Sequence, residues 1–395
     1  MSGPYSEKLI PKHVFYPNRS YIPPADPNAI GDGIFCPECP DCSQIGAGDD
    51  VVIAGGYVKQ VSRLHYDQRA STGIYEFKPI NLQPNMMKYN LTNNGYSVSL
   101  NSIAMQTSHA AGADVGKHNR GYIIGGTIDI KVGIDTIQVL SIASFDSTAI
   151  FGNLSARNRN NAYATSNGSN DRIIHLGGMK YDSDTGNYVQ STDISYFTSG
   201  TPYVVSVFGN LASTANTYTA VSNAENDRAV FNKENVELSF VTISNPANAT
   251  IIGNNSTIPV YGQQATDGGV NDRGLFSGGY LQFISYRQGY HDQWYDKLID
   301  IQNVISFMTI SSGANTTSFG SMSTSRVWHT MNSNGEGNIA VSYGGDNYFN
   351  VTNGNTTYRT AITAMEKMFI DTPGSVTLYN TVNSPRYSAS SVSNG

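Results

Sequence analysis

Charged side chains are scarce in this chain of 395 residues, because Asp, Glu, Lys and Arg make up only 14% of it, whereas about a quarter is usual. The formal net charge is −6, and no run of Lys or Arg occurs anywhere in the chain. Binding to a phosphate backbone requires clustered positive charge. We therefore do not expect a nucleic acid partner.

Long apolar runs are also missing. No segment reaches the roughly 18 apolar residues that a membrane-spanning helix needs, so no membrane partner is expected. The first residues, MSGPYSEKLIPKH, contain no apolar stretch that would act as a secretory signal. We therefore expect synthesis in the cytoplasm, without a signal peptide.

Cysteine is confined to one short segment, FCPECPDCSQ, which holds Cys36, Cys39 and Cys42 in a C-x2-C-x2-C array. This spacing suits thiolates that converge on one structural zinc ion, but a closed tetrahedral site needs a fourth ligand, such as His13 or a residue of another chain. The alternatives are disulfides, including intermolecular ones because the count is odd, and free thiols. No other cofactor is predicted.

A recognisable catalytic set is absent as well. No pair among the seven histidines has the spacing of a metal motif such as H-E-x-x-H, and no acid, base or nucleophile stands out by its context. His175 lies inside the apolar run IIHLGG, which favours a core or channel-lining position. We therefore expect a protein without enzymatic activity.

Glycine and turn-forming residues dominate the chain, and they recur with a period. Gly-Gly pairs follow apolar runs at residues 55, 125, 177, 278 and 344, and a copy without the pair, NDRAVFNKE, begins at Asn226 near the middle of the longest gap. The implied repeat is on the order of fifty to sixty residues, as in propeller repeats. The same register six times indicates six related units.

Each unit also contains a second signal, which is an apolar strand, a polar turn and another strand, as in FMTISSGANTTSFGSMSTSR. A short strand such as HTMNSNG then leads to the next glycine pair, giving four strands per unit. Such a small sheet cannot cover its own faces unless several pack radially. We predict an all-β, six-bladed β-propeller, in which the glycines turn the backbone beside a crowded central channel.

The two ends of the propeller are predicted to meet in one blade. Residues 384–395, SPRYSASSVSNG, stop at an Asn-Gly turn, and residues 48–53, GDDVVI, begin just after such a turn. The C-terminal strand would therefore complete the first blade and close the ring through backbone hydrogen bonds. The expected domains are an arm over residues 1–48 and a propeller over residues 49–395.

Arginine recurs at one position of the repeat. A repeated position favours a repeated structural role, such as a hydrogen bond from one blade to carbonyls of the next. The residues concerned are Arg120, Arg172, Arg228 and Arg273.

Residues 49–395 resemble the kelch-type propellers of the galactose oxidase central-domain class in their Gly-Gly strands, Asn-Asp-Arg turns and closing strand. Blades of the form NDRG…GG…FMTISS…NTTSFG are similar to divergent kelch repeats in structural proteins of tailed bacteriophages. Typical kelch repeats carry a spaced Tyr and Trp pair, which most blades lack here, since Trp occurs only at Trp294 and Trp328. The resemblance implies a non-enzymatic virion protein, present in several copies, with a structural or host-attachment role on the capsid, neck or tail.

Two segments outside the repeat suggest partners. Residues 1–48 are rich in Pro with scattered aromatics, cannot build a core and are expected to run extended along other virion proteins. The fifth unit carries an inserted loop, YLQFISYRQGYHDQWYDKL, whose aromatic and Arg content is typical of contact surfaces. It would either pack on its own propeller or bind a partner, and the alternative function is recognition of host surface glycans. The candidate binding residues are Tyr286, Arg287, Tyr290, Trp294 and Tyr295.

Overall fold

The computed structural model describes residues 49–394 except for short gaps. The gaps comprise residues 67–72, 93–95, 116–118, 130–131, 145–146, 155–160, 169–170, 183–186, 215–217, 234–236, 256–261, 268–271, 289–292, 314, 335–337, 348–350, 354–355, 375 and 383. The predicted arm, with Cys36, Cys39 and Cys42, lies outside the described residues. The domain boundary and the cysteine chemistry therefore stay predictions.

Six of the antiparallel four-stranded sheets in the described chain are the blades of a β-propeller. Each blade runs from an inner strand through a second and a third strand to an outer strand. The strands of blades 1 to 3, in that order, are Ser390–Ser393, Asp50–Ala54, Asn85–Asn90 and Tyr96–Ser102; Ala111–Val115, Arg120–Ile124, Thr136–Ser141 and Ala149–Asn153; and Tyr163–Ser166, Arg172–Leu176, Asp193–Thr198 and Ser206–Asn210.

Blades 4 to 6 repeat the arrangement, with one short 3-10 turn at Ala224–Asn226. Their strands are Tyr218–Ser222, Arg228–Lys233, Glu237–Thr242 and Thr250–Asn254; Gln264–Asp267, Arg273–Ser277, Val304–Thr309 and Thr317–Ser321; and Thr330–Ser333, Ile339–Tyr343, Ala364–Phe369 and Thr377–Thr381. The prediction of an all-β, six-bladed propeller is confirmed. Within the described residues, no helix is long and apolar enough to cross a membrane.

The C-terminal strand closes the ring as the sequence predicts. Val51 pairs with Ser393 and Ala54 with Ser390, so the last strand is the inner strand of the blade that begins at Asp50. Arg386, which is 2% exposed, adds hydrogen bonds from Nη1 to the carbonyl oxygens of Gly55 at 3.1 Å and Asn85 at 2.5 Å. Both backbone and side chain therefore join the two ends of the propeller.

The apolar cores lie between blades rather than within them. Tyr122 and Phe151 of blade 2 pack on Ile173 and Phe197 of blade 3, with the rings of Tyr122 and Phe197 5.3 Å apart in a T-shaped contact. Burying one such side chain contributes roughly 1.5–3 kcal/mol. The ring is thus stabilised mainly at its junctions.

The repeated arginines have the predicted role. The Nη1 atom of Arg120 donates a hydrogen bond to the carbonyl oxygen of Ser199 at 2.7 Å, and Arg228 does the same to Ser311 at 2.7 Å. In each case the acceptor is in the next blade. Arg172 and Arg273 make the equivalent bonds to Ser244 and Ile370.

The glycine pairs are sterically required as predicted, but the clash is not at the channel. A Cβ on Gly55 would lie 2.2 Å from the carbonyl oxygen of Thr107, and one on Gly344 would lie 2.1 Å from that of Arg386. The close neighbour is therefore the segment that enters an inner strand, and neither glycine lines the channel. Both have φ of about +65°, which glycine adopts without strain.

Each glycine pair leads into an insertion that projects from one end of the ring. We call this end the hairpin face, and we call the opposite end, where the inner and second strands are joined, the turn face. The inserted strands are Tyr57–Tyr66 with Gly73–Leu82, Thr127–Asp129 with Val132–Gly133, Met179–Asp182 with Asn187–Gln190, Tyr280–Gln288 with Gln293–Ile301, and Val351–Asn353 with Thr356–Thr360. Blade 4 returns directly from Lys233 to Glu237, which explains why its copy of the repeat has no glycine pair.

Deleting residues 384–395 should abolish cooperative thermal unfolding, because blade 1 would lose its inner strand and Arg386. Melting followed by circular dichroism checks this. A matched control replaces residues 278–304 with residues 233–237, which removes a larger segment and changes only one residue of a blade strand, Val304. The control should melt cooperatively. An unchanged melting curve for the deletion would contradict closure of the ring by the C-terminal strand.

Candidate functional site

The central channel is lined by the inner strands of all six blades, which contact one another in cyclic order. It encloses a cavity of about 170 Å³. Blades 1 and 2 contribute mainly small side chains, including Ala111, Ala113, Ser390 and Ser391. Because ligand pockets for larger molecules usually measure about 300–1,000 Å³, this cavity suits water or a very small polar molecule.

A girdle of backbone hydrogen bonds surrounds the channel at the hairpin face. The amide of Trp328 donates to the carbonyl oxygen of Gly262 at 3.4 Å, Ser388 to Trp328 at 2.9 Å, His109 to Ser388 at 2.9 Å and Asn161 to His109 at 3.1 Å. These residues occupy equivalent positions at the start of successive inner strands, and all have positive φ. A positive φ is unusual for a residue as bulky as Trp, and here the ring of hydrogen bonds stabilises it.

One side chain crosses the channel. The hydroxyl of Tyr163 in blade 3 donates to the carbonyl oxygen of Gln263 at 3.1 Å and accepts from Nε2 of Gln264 at 2.6 Å, both in blade 5. Burial raises the pKa of Tyr163 well above its usual range, although the hydrogen bond from Gln264 acts in the opposite direction. The bridge links blades 3 and 5 beside blade 4, whose Ala220 and Ser222 still line the cavity.

His109 lies at the channel mouth with an aromatic cluster. Its Nε2 is 3.2 Å from the hydroxyl of Tyr57, whose ring makes an edge contact with Tyr387 at 4.2 Å. Burial lowers the pKa of His109 to about 4. The imidazole is therefore neutral at pH 7.

Behind the mouth lies a second, fully buried polar group. Arg326 and Glu366 form an ion pair of 2.9 Å with both side chains inaccessible, and Nη1 of Arg326 also donates to the carbonyl oxygens of Gly344 and Ala364. Nε2 of His329 lies 2.9 Å from the hydroxyl of Ser277. Burial, and secondarily the charge of Arg326, hold the pKa of His329 well below its usual value.

These groups do not assemble into recognisable reaction chemistry. Ser277 and His329 have the separation of a nucleophile and its base, but they are 0% and 1% exposed and face the core between blades 5 and 6. No three His, Cys, Asp or Glu side chains within the described ranges converge on a metal position. The channel lining offers hydroxyl, amide and neutral imidazole groups, which suit uncharged hydrogen-bonding molecules.

The predicted binding residues of the fifth unit lie on a hairpin rather than a loop. In its register Tyr286 pairs with Tyr295 and Arg287 with Trp294. The correction follows from the alternation in the insertion, which lets it form two nine-residue strands. Tyr290 lies outside the described residues. Four of the five candidates are therefore brought together in register.

A second structure on the hairpin face joins two blades. The strands inserted in blade 1, Tyr57–Tyr66 and Gly73–Leu82, pair with Thr356–Thr360 and Val351–Asn353 from blade 6 to form one four-stranded sheet. This sheet crosses the seam where the ring closes. Sequence patterns gave no indication of it, because the two insertions are far apart in the chain.

His175 and the channel residues illustrate what the sequence indicates and what it does not. His175 is fully buried in the second strand of blade 3 and does not line the cavity, in agreement with the core position favoured by its apolar context. His109, Tyr163, Gln264 and Trp328 were not singled out as channel residues. Their shared signal is position, since all lie within two residues of the start of an inner strand.

Comparison with known proteins adds evidence on the fold alone. No protein family matches the sequence, and no curated protein matches it. The solved structure of YjhT superposes with a TM-score of 0.52 at 14% identity, covering 75% of this chain and 91% of that one. A fungal alcohol oxidase of the AA5 family, solved in complex with copper, gives a TM-score of 0.48 at 11% identity, covering 85% of this chain and 67% of that one.

The blade topology and the likeness to YjhT identify the class as a six-bladed β-propeller. Within that class the arrangement supports a kelch-type propeller. The resemblance to phage structural proteins has no counterpart in these comparisons and stays a prediction.

The neutral His109 makes stability depend on pH. Its folded pKa is about 4, whereas the unfolded value is about 6.5, so only the unfolded chain gains a proton between these values and stability falls as pH drops through this window. Between pH 7 and pH 4.5, the free energy of unfolding of the His109→Gln variant should fall by about 2 kcal/mol less than that of the unchanged protein. Urea unfolding at both pH values checks this. Tyr57→Phe, which leaves the imidazole buried, should keep the original pH dependence, and equal slopes for all three proteins would contradict the assignment.

Proposed function

We propose that the protein is a non-enzymatic structural or attachment protein of a tailed-phage virion. Residues 1–48 dock on the capsid, neck or tail, and the propeller projects with its hairpin face outward. Several copies are incorporated into each particle. The observation that carries the proposal is that Asp49, to which residues 1–48 are joined, and the inserted hairpins lie at opposite ends of the ring.

The polarity follows from the strand directions. Asp49 lies on the turn face, where its carboxylate accepts a hydrogen bond from Nδ2 of Asn334 at 2.9 Å, and residues 1–48 continue from this point. The inserted hairpins follow the glycine pairs at the opposite end. An arm that held the turn face against a particle would therefore leave the hairpins free to meet a partner.

The ring also suits a display role because the outer strands of blades 2 and 3 each accept a hydrogen bond from the next blade. The amide of Tyr203 in blade 3 donates to the carbonyl oxygen of Phe151 in the outer strand of blade 2 at 3.1 Å, and Ala249 in blade 4 donates to Asn210 of blade 3 at 2.8 Å. Open sheet edges promote uncontrolled pairing between copies. Covering them favours contacts through dedicated segments instead.

The test uses two variants of the complete particle. Deleting residues 1–48 should abolish incorporation of the protein, and replacing residues 278–304 with residues 233–237 should leave incorporation intact but reduce adsorption to host cells at least tenfold. Quantitative mass spectrometry of purified particles and adsorption assays give the readouts. Absence of the unaltered protein from particles, or normal incorporation without residues 1–48, would refute the proposal.

The second candidate is a carbohydrate-binding propeller that recognises host surface glycans. It is favoured by the hairpin register, which places Tyr286 opposite Tyr295 and Arg287 opposite Trp294. Aromatic rings with adjacent hydrogen-bonding groups are suited to sugar rings. The two functions are compatible if the attachment partner is a glycan.

Glycan-array binding by the complete protein tests this candidate. Combined Tyr290→Ala and Trp294→Ala changes should lower binding at least tenfold, because the proposed stacking surface is lost. Tyr203→Ala is the matched control, since Tyr203 is 60% exposed on the outer rim, away from the hairpin. Absence of binding by the unaltered protein, or equal loss in the control, would exclude glycan recognition by this hairpin.

A further inference from the structure

One asparagine side chain links two blades at the turn face. Asn167 follows the inner strand of blade 3, and its Oδ1 accepts a hydrogen bond from the amide of Arg172 at 2.9 Å. Its Nδ2 donates to Oδ1 of Asp227 in blade 4 at 2.8 Å. The side chain is 1% exposed. We call this arrangement a latch.

The latch recurs at equivalent positions around the ring. Each asparagine accepts from an amide of its own blade and donates to an oxygen of the next blade. The further latches are Asn223 with Arg228 and Asp272, Asn334 with Ile339 and Asp49, and Asn394 with Asp50 and Asn119, with donor distances to the next blade of 2.9, 2.9 and 3.5 Å.

The residue after each latch asparagine divides these four into two groups. Asn167, Asn334 and Asn394 precede glycine, whereas Asn223 precedes Ala224. An Asn-Gly pair is prone to deamidation because glycine has no side chain to shield its amide nitrogen. The glycine nitrogen attacks Cγ of the asparagine, the Cγ–Nδ2 bond breaks, and ammonia leaves. Water then opens the cyclic imide to give Asp or isoaspartate.

We propose that these three asparagines are modification sites at which deamidation irreversibly releases a blade junction. The reaction replaces a donor amide with a carboxylate. At Asn167 and Asn334 the new carboxylate would face Asp227 and Asp49 at hydrogen-bond distance, so an attractive contact becomes repulsive. At Asn394 it would remove the donor that links the closing strand to Asn119.

The hydrogen bonds of the intact latch slow the deamidation. The nucleophilic amide of Gly168 donates to the hydroxyl of Ser166 at 3.2 Å, and both ends of the Asn167 amide are hydrogen-bonded. Attack on Cγ therefore requires the junction to open first. Deamidation would then accumulate at junctions in proportion to how often they open, and each event would weaken the same junction further. This inference does not depend on the proposed virion role.

The experiment ages the complete protein at pH 8.5 and 37 °C and maps deamidation by peptide mass spectrometry. We expect the mass gain at Asn167, Asn334 and Asn394 and none at Asn223, which is the internal control in the same molecule. Protein unfolded in urea shows the intrinsic rate. If these three sites remain unmodified after the unfolded protein has reacted fully, the proposal is wrong.

Two variants test the consequence independently of ageing. Asn167→Asp and Asn223→Asp change two latches identically, so both should lower Tm by roughly 2–6 °C. Aged protein carrying a modified Asn167 should show the same fall, whereas Asn223→Ser, which keeps a polar but uncharged side chain, should lose less. A Tm for Asn167→Asp equal to that of the unaltered protein would refute the release mechanism.

Discussion

No blade of this protein can bury its own faces, and this constraint accounts for most of the structure. The described apolar clusters each combine residues from two neighbouring blades, including the pair formed by blades 6 and 1, where Tyr343 packs near Tyr89. A blade without neighbours would expose both faces of its sheet, so its strands are stable only in the closed ring. The closing strand therefore matters for every junction, because opening one junction exposes apolar surface on two blades.

Polar contacts reinforce the same junctions at both ends of the channel. At the hairpin face the girdle links successive inner strands through backbone hydrogen bonds, as between His109 and Ser388. At the turn face, the latches and the arginines link each blade to the next, as Asn223 and Arg228 do. Where the arginine is missing, other groups replace it. Lys88 of blade 1 donates to the carbonyl oxygen of Ala143 at 3.3 Å, and Tyr379 of blade 6 donates to that of Asn90 at 2.5 Å.

The sequence predicted those features that recur in several blades. The Asn-Asp-Arg turn is an example, because Asp227 adopts a positive φ and accepts from the Asn167 latch while Arg228 reaches the next blade. Features that occur once were not predictable. The Tyr163 bridge depends on which blades face each other across the axis, and the sheet across the seam depends on insertions that are close only after closure. The need for glycine at these pairs was predicted correctly. The predicted clash of a Cβ was with the channel, however, whereas the clashing atoms belong to the segment that enters the inner strand.

Blade 4 shows which features a blade needs in order to take part in the ring. It has no inserted hairpin and no glycine pair, yet it keeps its apolar core, its latch at Asn223 and its arginine contact through Arg228. A blade can therefore be complete without an insertion. Among the described residues, the two strands of the blade 5 hairpin pair only with each other, so their sequence can serve contacts beyond the ring. This hairpin carries Tyr286, Arg287, Trp294 and Tyr295, so a partner can select these residues without breaking a pairing between blade strands.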